Sequence, residues 1–229
     1  MRDHAHEPQP VRIAAIVHGC LTEGPGLRTG IWFQGCPIRC PGCYNLHLWP
    51  FDGGQEMTLA QVLAEVEAGR GQGDIGVSLV GGEPLAQPEA CAELCVALRE
   101  LGIHTIVYSG LTYEDIISLI EAIPAYDVIL DHADVVVDGP FIQGECDARI
   151  AYRGSRNQRV IDLCATRAHG HVVTLSHKWD RRQTITIKPG GSLMTSAFLA
   201  QVFAGRRSRA RNCGQTPHRS VYETTTSRR

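Results

Sequence analysis

The chain has 229 residues, 43% of them hydrophobic and 20% charged, with a formal net charge of −2. This balance suits a globular chain with a sizeable core, excludes a disordered or fibrous one, and gives no reason to expect nucleic acid as a partner. No apolar run approaches the about 18 residues of a membrane span, and the polar start MRDHAHEPQP lacks a charged-then-apolar secretory pattern, so a cytoplasmic protein with no membrane partner is expected.

Short β-rich runs alternate with helical patterns along the chain. Ile31–Gln34 reads as a buried strand. Thr58–Ala68 has helical spacing, with Leu59, Val62, Leu63 and Val66 on one face and Thr58 and Gln61 placed as a capping box. Gly76–Val80 is a second strand, Pro88–Leu101 a helix that opens on proline and stops before Gly102, and His104–Tyr108 a third strand. Tyr113–Ile123 follows as a helix capped by Thr112 and ended by Pro124. Ala133–Val137 and Gln158–Leu163 read as further strands, and Gln183–Lys188 meets a Pro-Gly-Gly turn as in a hairpin. Strands separated by helical patterns imply βαβ units, a parallel sheet, and an α/β fold curled into an open or closed barrel. Ligands in such folds sit at the C-terminal ends of the strands. Cys36, Gly81–Pro84, Ser109–Gly110 and Asp138–Gly139 each follow a predicted strand, so all four fall on one rim.

Nine cysteines, an odd number without the spacing of a small secreted scaffold, fit a reducing compartment in which thiols serve as metal ligands. Cys36, Cys40 and Cys43 have Cys-x3-Cys-x2-Cys spacing on one loop with Pro37, Pro41 and Gly42. Iron–sulfur clusters ordinarily take four thiolates, so three leave one iron open, and an open position marks a catalytic metal. His47 extends the pattern to three cysteines and a histidine, which is also a structural zinc set. Cys91 and Cys95, one helical turn apart, are expected in the core; Cys20, Cys146 and Cys164 remain unassigned thiols near the rim, and no second close-spaced set suggests another cluster.

The cysteine loop with Tyr44-Asn45, together with Gly76–Leu85 (GVSLVGGEPL), resembles the radical S-adenosylmethionine (SAM) superfamily. More narrowly, these motifs, Asp134–Phe141 (DVVVDGPF) and Arg153–Arg159 (RGSRNQR) are similar to the activating enzymes of glycyl-radical enzymes, the branch serving anaerobic ribonucleotide reductase. Glu23–Thr29 (EGPGLRT) is more similar to the pyruvate formate-lyase branch. The resemblance spans residues 20 to about 163 and implies a partial (β/α)6-type barrel with a C-terminal hairpin-like extension. The expected organisation is a flexible N-terminus over residues 1–11, a radical SAM domain over 12–204, and a basic, disordered tail over 205–229, where seven arginines face one acid, Glu223.

The same resemblance implies a [4Fe–4S] cluster on Cys36, Cys40 and Cys43 and SAM as cofactors. Gly42 and Tyr44 would flank the adenine, and Gly81, Gly82 and Glu83 would receive the SAM amino group. Ser109 and Gly110 would line the ribose, while Asp138, Arg153, Asn157 and Arg159 are further cofactor-binding candidates. No side-chain general acid or base is required. The expected partners are a low-potential electron donor of flavodoxin or ferredoxin type and a glycyl-radical enzyme. Two alternatives stay open: a stand-alone radical SAM enzyme acting on a small molecule or peptide, and a non-catalytic zinc or iron–sulfur protein.

Overall fold

The computed structural model describes residues 9–147 and 150–175, and the backbone of 185–187 and 193–195. Seven strands form one sheet in the order β3-β1-β2-β4-β5-β6-β7. They are β1 (Val11–Cys20), β2 (Arg28–Phe33), β3 (Gln55–Met57), β4 (Gly76–Gly81), β5 (His104–Tyr108), β6 (Val135–Asp138) and β7 (Arg159–Asp162). The four central strands, β2, β4, β5 and β6, run parallel, as the alternation of strand and helix requires. The edges correct an all-parallel expectation: β1 pairs antiparallel with β2 and β3, and β7 pairs antiparallel with β6. At the far edge, residues 139–158 join β6 to β7 without a crossover α-helix among the described residues, and β7 returns antiparallel. A separate antiparallel pair, β8 (Ile185–Ile187) and β9 (Leu193–Thr195), matches the expected hairpin; the Pro-Gly-Gly turn and the basic tail lie outside the described residues.

The helices follow their start signals. α1 (Leu59–Gly71) opens on the Thr58/Gln61 capping box, and α2 (Pro88–Glu100) opens on its proline. α3 is shorter than its apolar periodicity suggests, Tyr113–Ser118, although Thr112 and Asp115 form the cap. Pro124 does not end a helix but starts one: its φ of −59° suits the first turn of α4 (Ala125–His132). The sequence reading also lacks β1, β3 and α5 (Leu163–His169), which is capped by Asp162.

Both faces of the sheet are buried, by different material. Val62, Val66, Leu94, Leu98, Ile116 and Ile129 from the helices pack on Ile31, Phe33, Val77, Leu79, Val107 and Val136. Burying one such side chain contributes about 1.5–3 kcal/mol. Cys91 and Cys95 are fully buried in this layer, as expected. The opposite face carries Trp32, Val80 and Cys20 in one cluster and Ile106, Val135, Val137 and Val160 in another, with Tyr108 packed against both.

That second face also holds charge. Arg28 is 1% exposed and donates to the Ser78 hydroxyl (2.8 Å) and the His104 carbonyl (2.8 Å). The Ser78 hydroxyl in turn donates a hydrogen bond to the Glu23 carbonyl at 2.5 Å, which anchors the loop before β2. Burial lowers the guanidinium to about 10, so it stays cationic near neutrality. Burial raises the Glu23 carboxyl to about 7, only partly offset by the Thr22 hydroxyl. A carboxyl raised on folding keeps its proton in the native chain after the unfolded chain has lost it. Its contribution is therefore complete below about pH 4.5 and fades as pH rises to about 7. Glu23→Gln should flatten this segment of the stability–pH curve by on the order of 3 kcal/mol, read by denaturant unfolding of the metal-free chain at pH 4.5 and 7.5.

Candidate functional site

The C-terminal ends of the four parallel strands converge on one rim, and backbone hydrogen bonds lock them together. Gly82 N–H donates to the Phe33 carbonyl and Glu83 N–H to the Gly35 carbonyl, both at 2.9 Å, so the turn after β4 is sewn to the loop after β2. Ser109 N–H reaches the Val137 carbonyl and Gly139 N–H the Leu111 carbonyl, both at 2.9 Å, which joins the ends of β5 and β6. Between these pairs lies Glu83, 3% exposed. One carboxylate oxygen accepts from Leu85 N–H at 3.0 Å and the other from Gly110 N–H at 2.7 Å. Burial raises its pKa to about 7 against the opposing pull of those amides and Ser109.

Glycine is required on this rim for space. A Cβ at Gly82 would land on the Gly35 carbonyl oxygen, and one at Gly81 (φ +107°) on the backbone of Phe33. At Gly110 the obstacle is only the tip of Ile38, a flexible side chain.

Cys36, Cys40 and Cys43 lie on the loop that leaves β2. Gly35 N–H donates to the Leu48 carbonyl (2.9 Å) and Cys36 N–H to the Trp49 carbonyl (3.2 Å). The Gln34 amide donates to the His47 and Pro50 carbonyls at 3.1 and 2.7 Å, and Gln87 donates to the Gln34 carbonyl at 3.0 Å. Burial raises the Cys36 thiol, while the N–H groups of Arg39 and Ile38 pull it down. Burial also raises Cys40, opposed by the N–H of Phe141 from the loop after β6. That loop closes the far side: the Phe141 and Tyr44 rings are 5.6 Å apart and tilted by 54°, and the Gln143 side chain lies where a Gly42 Cβ would stand.

The donor set suits an iron–sulfur cluster and not a zinc ion. Ligands of one zinc ion must converge on a single point at about 2.0–2.3 Å; among the described residues no three His, Cys, Asp or Glu side chains do so, and His47 is exposed. Thiolates that each hold a different iron of a cube need no such convergence. Three soft donors on a glycine- and proline-shaped loop, with backbone amides directed at Cys36 and Cys40, fit an iron–sulfur cluster.

The remaining candidates form the β6–β7 side of the rim. Asp138, 1% exposed, accepts from Tyr113 N–H at 2.7 Å and from the Arg159 backbone and guanidinium. Arg159 also forks onto Glu114 at 3.0 and 2.6 Å, and these two carboxylates raise its pKa. Arg153 donates to the Gln158 carbonyl (3.0 Å) and Asn157 to the Pro140 carbonyl (2.7 Å). Arg153 Nε and Asn157 Oδ1 are buried without a hydrogen-bond partner among the described residues. The sequence reading missed Gln34, Gln87 and Ile38, which have no local signature; Phe141 stood inside the Asp-Gly-Pro-Phe motif without being nominated.

The site and sheet define a single-cluster iron–sulfur protein built on a mixed α/β sheet. A family model described as "4Fe-4S single cluster domain" matches residues 22–161, and the chain belongs to that family, within the glycyl-radical-activase branch of the radical SAM enzymes. Its cofactors are accordingly a [4Fe–4S] cluster and SAM. The chain is 35% identical over 130 residues to the pyruvate formate-lyase-activating enzyme of Clostridium pasteurianum, which covers 55% of this chain and 50% of that protein. It is 30% identical over 151 residues to the anaerobic ribonucleoside-triphosphate reductase-activating protein of Escherichia coli K12, covering 62% of this chain and 93% of that one. Thus the match spans half the length of the first relative and nearly all of the second. Among solved structures, QueE from Escherichia coli matches at 20% identity and a TM-score of 0.39, over 45% of this chain and 54% of that one, too distant to bear on the argument. No helix among the described residues is long and apolar enough to cross a membrane.

The glycine contacts set a graded expectation. Gly82→Ala should cost about 1–3 kcal/mol, because a backbone oxygen cannot yield. Gly110→Ala should cost less than about 1 kcal/mol, because Ile38 can rotate away. Denaturant midpoints of the two variants check the order.

Proposed function

We propose that the chain installs a glycyl radical on a large partner enzyme of the anaerobic ribonucleotide reductase kind, in a reducing cytoplasm, on a sheet curled as a partial (β/α)6-type barrel. The observation that carries this reading is one rim holding Cys36, Cys40 and Cys43 beside the Gly81–Pro84 turn and the Asp138 and Arg153–Arg159 segments. The reductase-activating relative, of which the match covers 93%, favours that partner class over a small substrate.

A cluster held by Cys36, Cys40 and Cys43 and reduced by a low-potential donor of flavodoxin or ferredoxin type would supply the one-electron chemistry that cleaves SAM and, through it, the removal of the glycine Cα hydrogen. The three cysteine thiolates would each hold one iron of it. Gly42 and Tyr44 flank the adenine, with Phe141 backing the Tyr44 ring. Gly81, Gly82 and Glu83 receive the SAM ammonium, since glycine lets backbone carbonyls approach a cation and the Glu83 carboxyl lies buried behind them. Ser109 and Gly110 line the ribose. The Arg153 Nε and Asn157 Oδ1 atoms, a donor and an acceptor without partners, suit the SAM carboxylate and a hydroxyl. Asp138 and Arg159, already bound to each other, hold that segment in place.

After anaerobic reconstitution with iron, sulfide and SAM, the chain should release 5′-deoxyadenosine on reduction, and Cys40→Ala should lower it to background. Co-incubation with an anaerobic ribonucleotide reductase should give a glycyl-radical doublet by electron spin resonance. A single bound zinc and no 5′-deoxyadenosine would overturn the chemistry; SAM cleavage with small-substrate turnover and no doublet would overturn the partner.

A further inference from the structure

The cysteine loop reaches the surface at one place. Cys36 is buried, but Cys40 and Cys43 are half-buried, and Pro37, Arg39, Pro41 and Gly42 are exposed. Exposed apolar side chains gather around this point. Leu46 (55% exposed) and Phe51 (49%) come from the segment that wraps residues 34–36, and the Phe51 ring lies where a Cβ on Gly35 would stand. Ile142 (41%) comes from the other side, next to Phe141, whose ring meets Tyr44. Folding gives no reason to leave these three in water. Residues 34–51 carry Arg39 and His47 and no carboxylate; Asp52 and Glu145 stand only at the borders. An apolar surface with a central cation is suited to an acidic protein.

We infer that this face, built from Arg39, Leu46, Phe51 and Ile142, is the docking surface for a small acidic electron-transfer protein of flavodoxin type. This rests on the radical SAM reading, because only a cluster that must be recharged needs a donor. The exchange is a single-electron transfer: the donor's flavin hydroquinone is oxidised to the semiquinone, the oxidised cluster is reduced by one electron, and no bond forms or breaks at the contact. The electron enters where the cluster's ligands lie nearest the solvent.

The experiment compares Leu46→Glu and Arg39→Glu with wild type, each reconstituted and matched for iron content and far-ultraviolet circular dichroism. Binding of oxidised flavodoxin is measured by flavin fluorescence, and cluster bleaching by stopped flow with either flavodoxin hydroquinone or dithionite. Each variant should bind flavodoxin about tenfold more weakly and be reduced by it correspondingly more slowly, while dithionite reduces all three at one rate. Raising the salt concentration should slow flavodoxin reduction of wild type but not of Arg39→Glu. Wild-type flavodoxin binding and reduction in both variants would overturn the inference. So would variants that take up electrons normally but lose radical transfer to the reductase, which would give the face to that partner. If wild type shows no dithionite-reducible cluster, the radical SAM reading itself fails, a result distinct from a misplaced docking face.

Discussion

Glu83 is where the strands of this protein become a site. Its carboxyl is nearly sealed from water and spans the gap between two strand ends, taking one amide from its own turn and another from Gly110 after β5. Burial alone would push the proton back onto it, and the two amides are what favour the ionised form. With Glu83 N–H and Gly82 N–H bonded to the backbone around Phe33 and Gly35, the same turn also fixes the exit of the cysteine loop from β2. Three strand ends therefore share one junction, and the junction tolerates no Cβ at Gly81 or Gly82.

The cysteine loop depends on that junction and on a second set of contacts from outside. Gln34 holds the return of the loop through the His47 and Pro50 carbonyls, and Gln87 holds Gln34 in turn. On the other side, Phe141 supplies an amide to Cys40 and a ring to Tyr44. The thiols are thus clamped between the two halves of the sheet, with their amide contacts prearranged. Such outer contacts tune a metal site as surely as its ligands do. The clamp buries Cys36 and leaves Cys40 and Cys43 half-buried.

Charge is distributed in the same economical way. At the opposite end of the parallel strands Arg28 is buried among neutral acceptors, fixing the loop before β2 through Ser78. At the β6–β7 edge Asp138, Arg159 and Glu114 tie two strands to α3. Both groups are bonded internally, whereas Arg153 Nε and Asn157 Oδ1 are buried without a hydrogen-bond partner among the described residues.

The amino-acid sequence by itself determined the chemistry and much of the frame. Cysteine spacing, the Gly-Gly-Glu-Pro turn and the caps at Thr58 and Thr112 are local patterns, set by residues close together in the chain, and the alternation of strand and helix signals announces the parallel core. The tertiary structure decided what depends on distant partners. β1 is a strand because β2 and β3 pair with it, and β7 is antiparallel because its link from β6 carries no crossover α-helix among the described residues. Pro124 starts a helix because α4 has a buried face to fill, with Tyr126, Ile129 and Leu130 in the core. Likewise, the sequence could nominate Glu83, Asp138 and Arg159 as polar rim residues but not apportion their bonds. Hydrogen-bond partners separated by 21 to 45 residues become neighbours only when the sheet has formed.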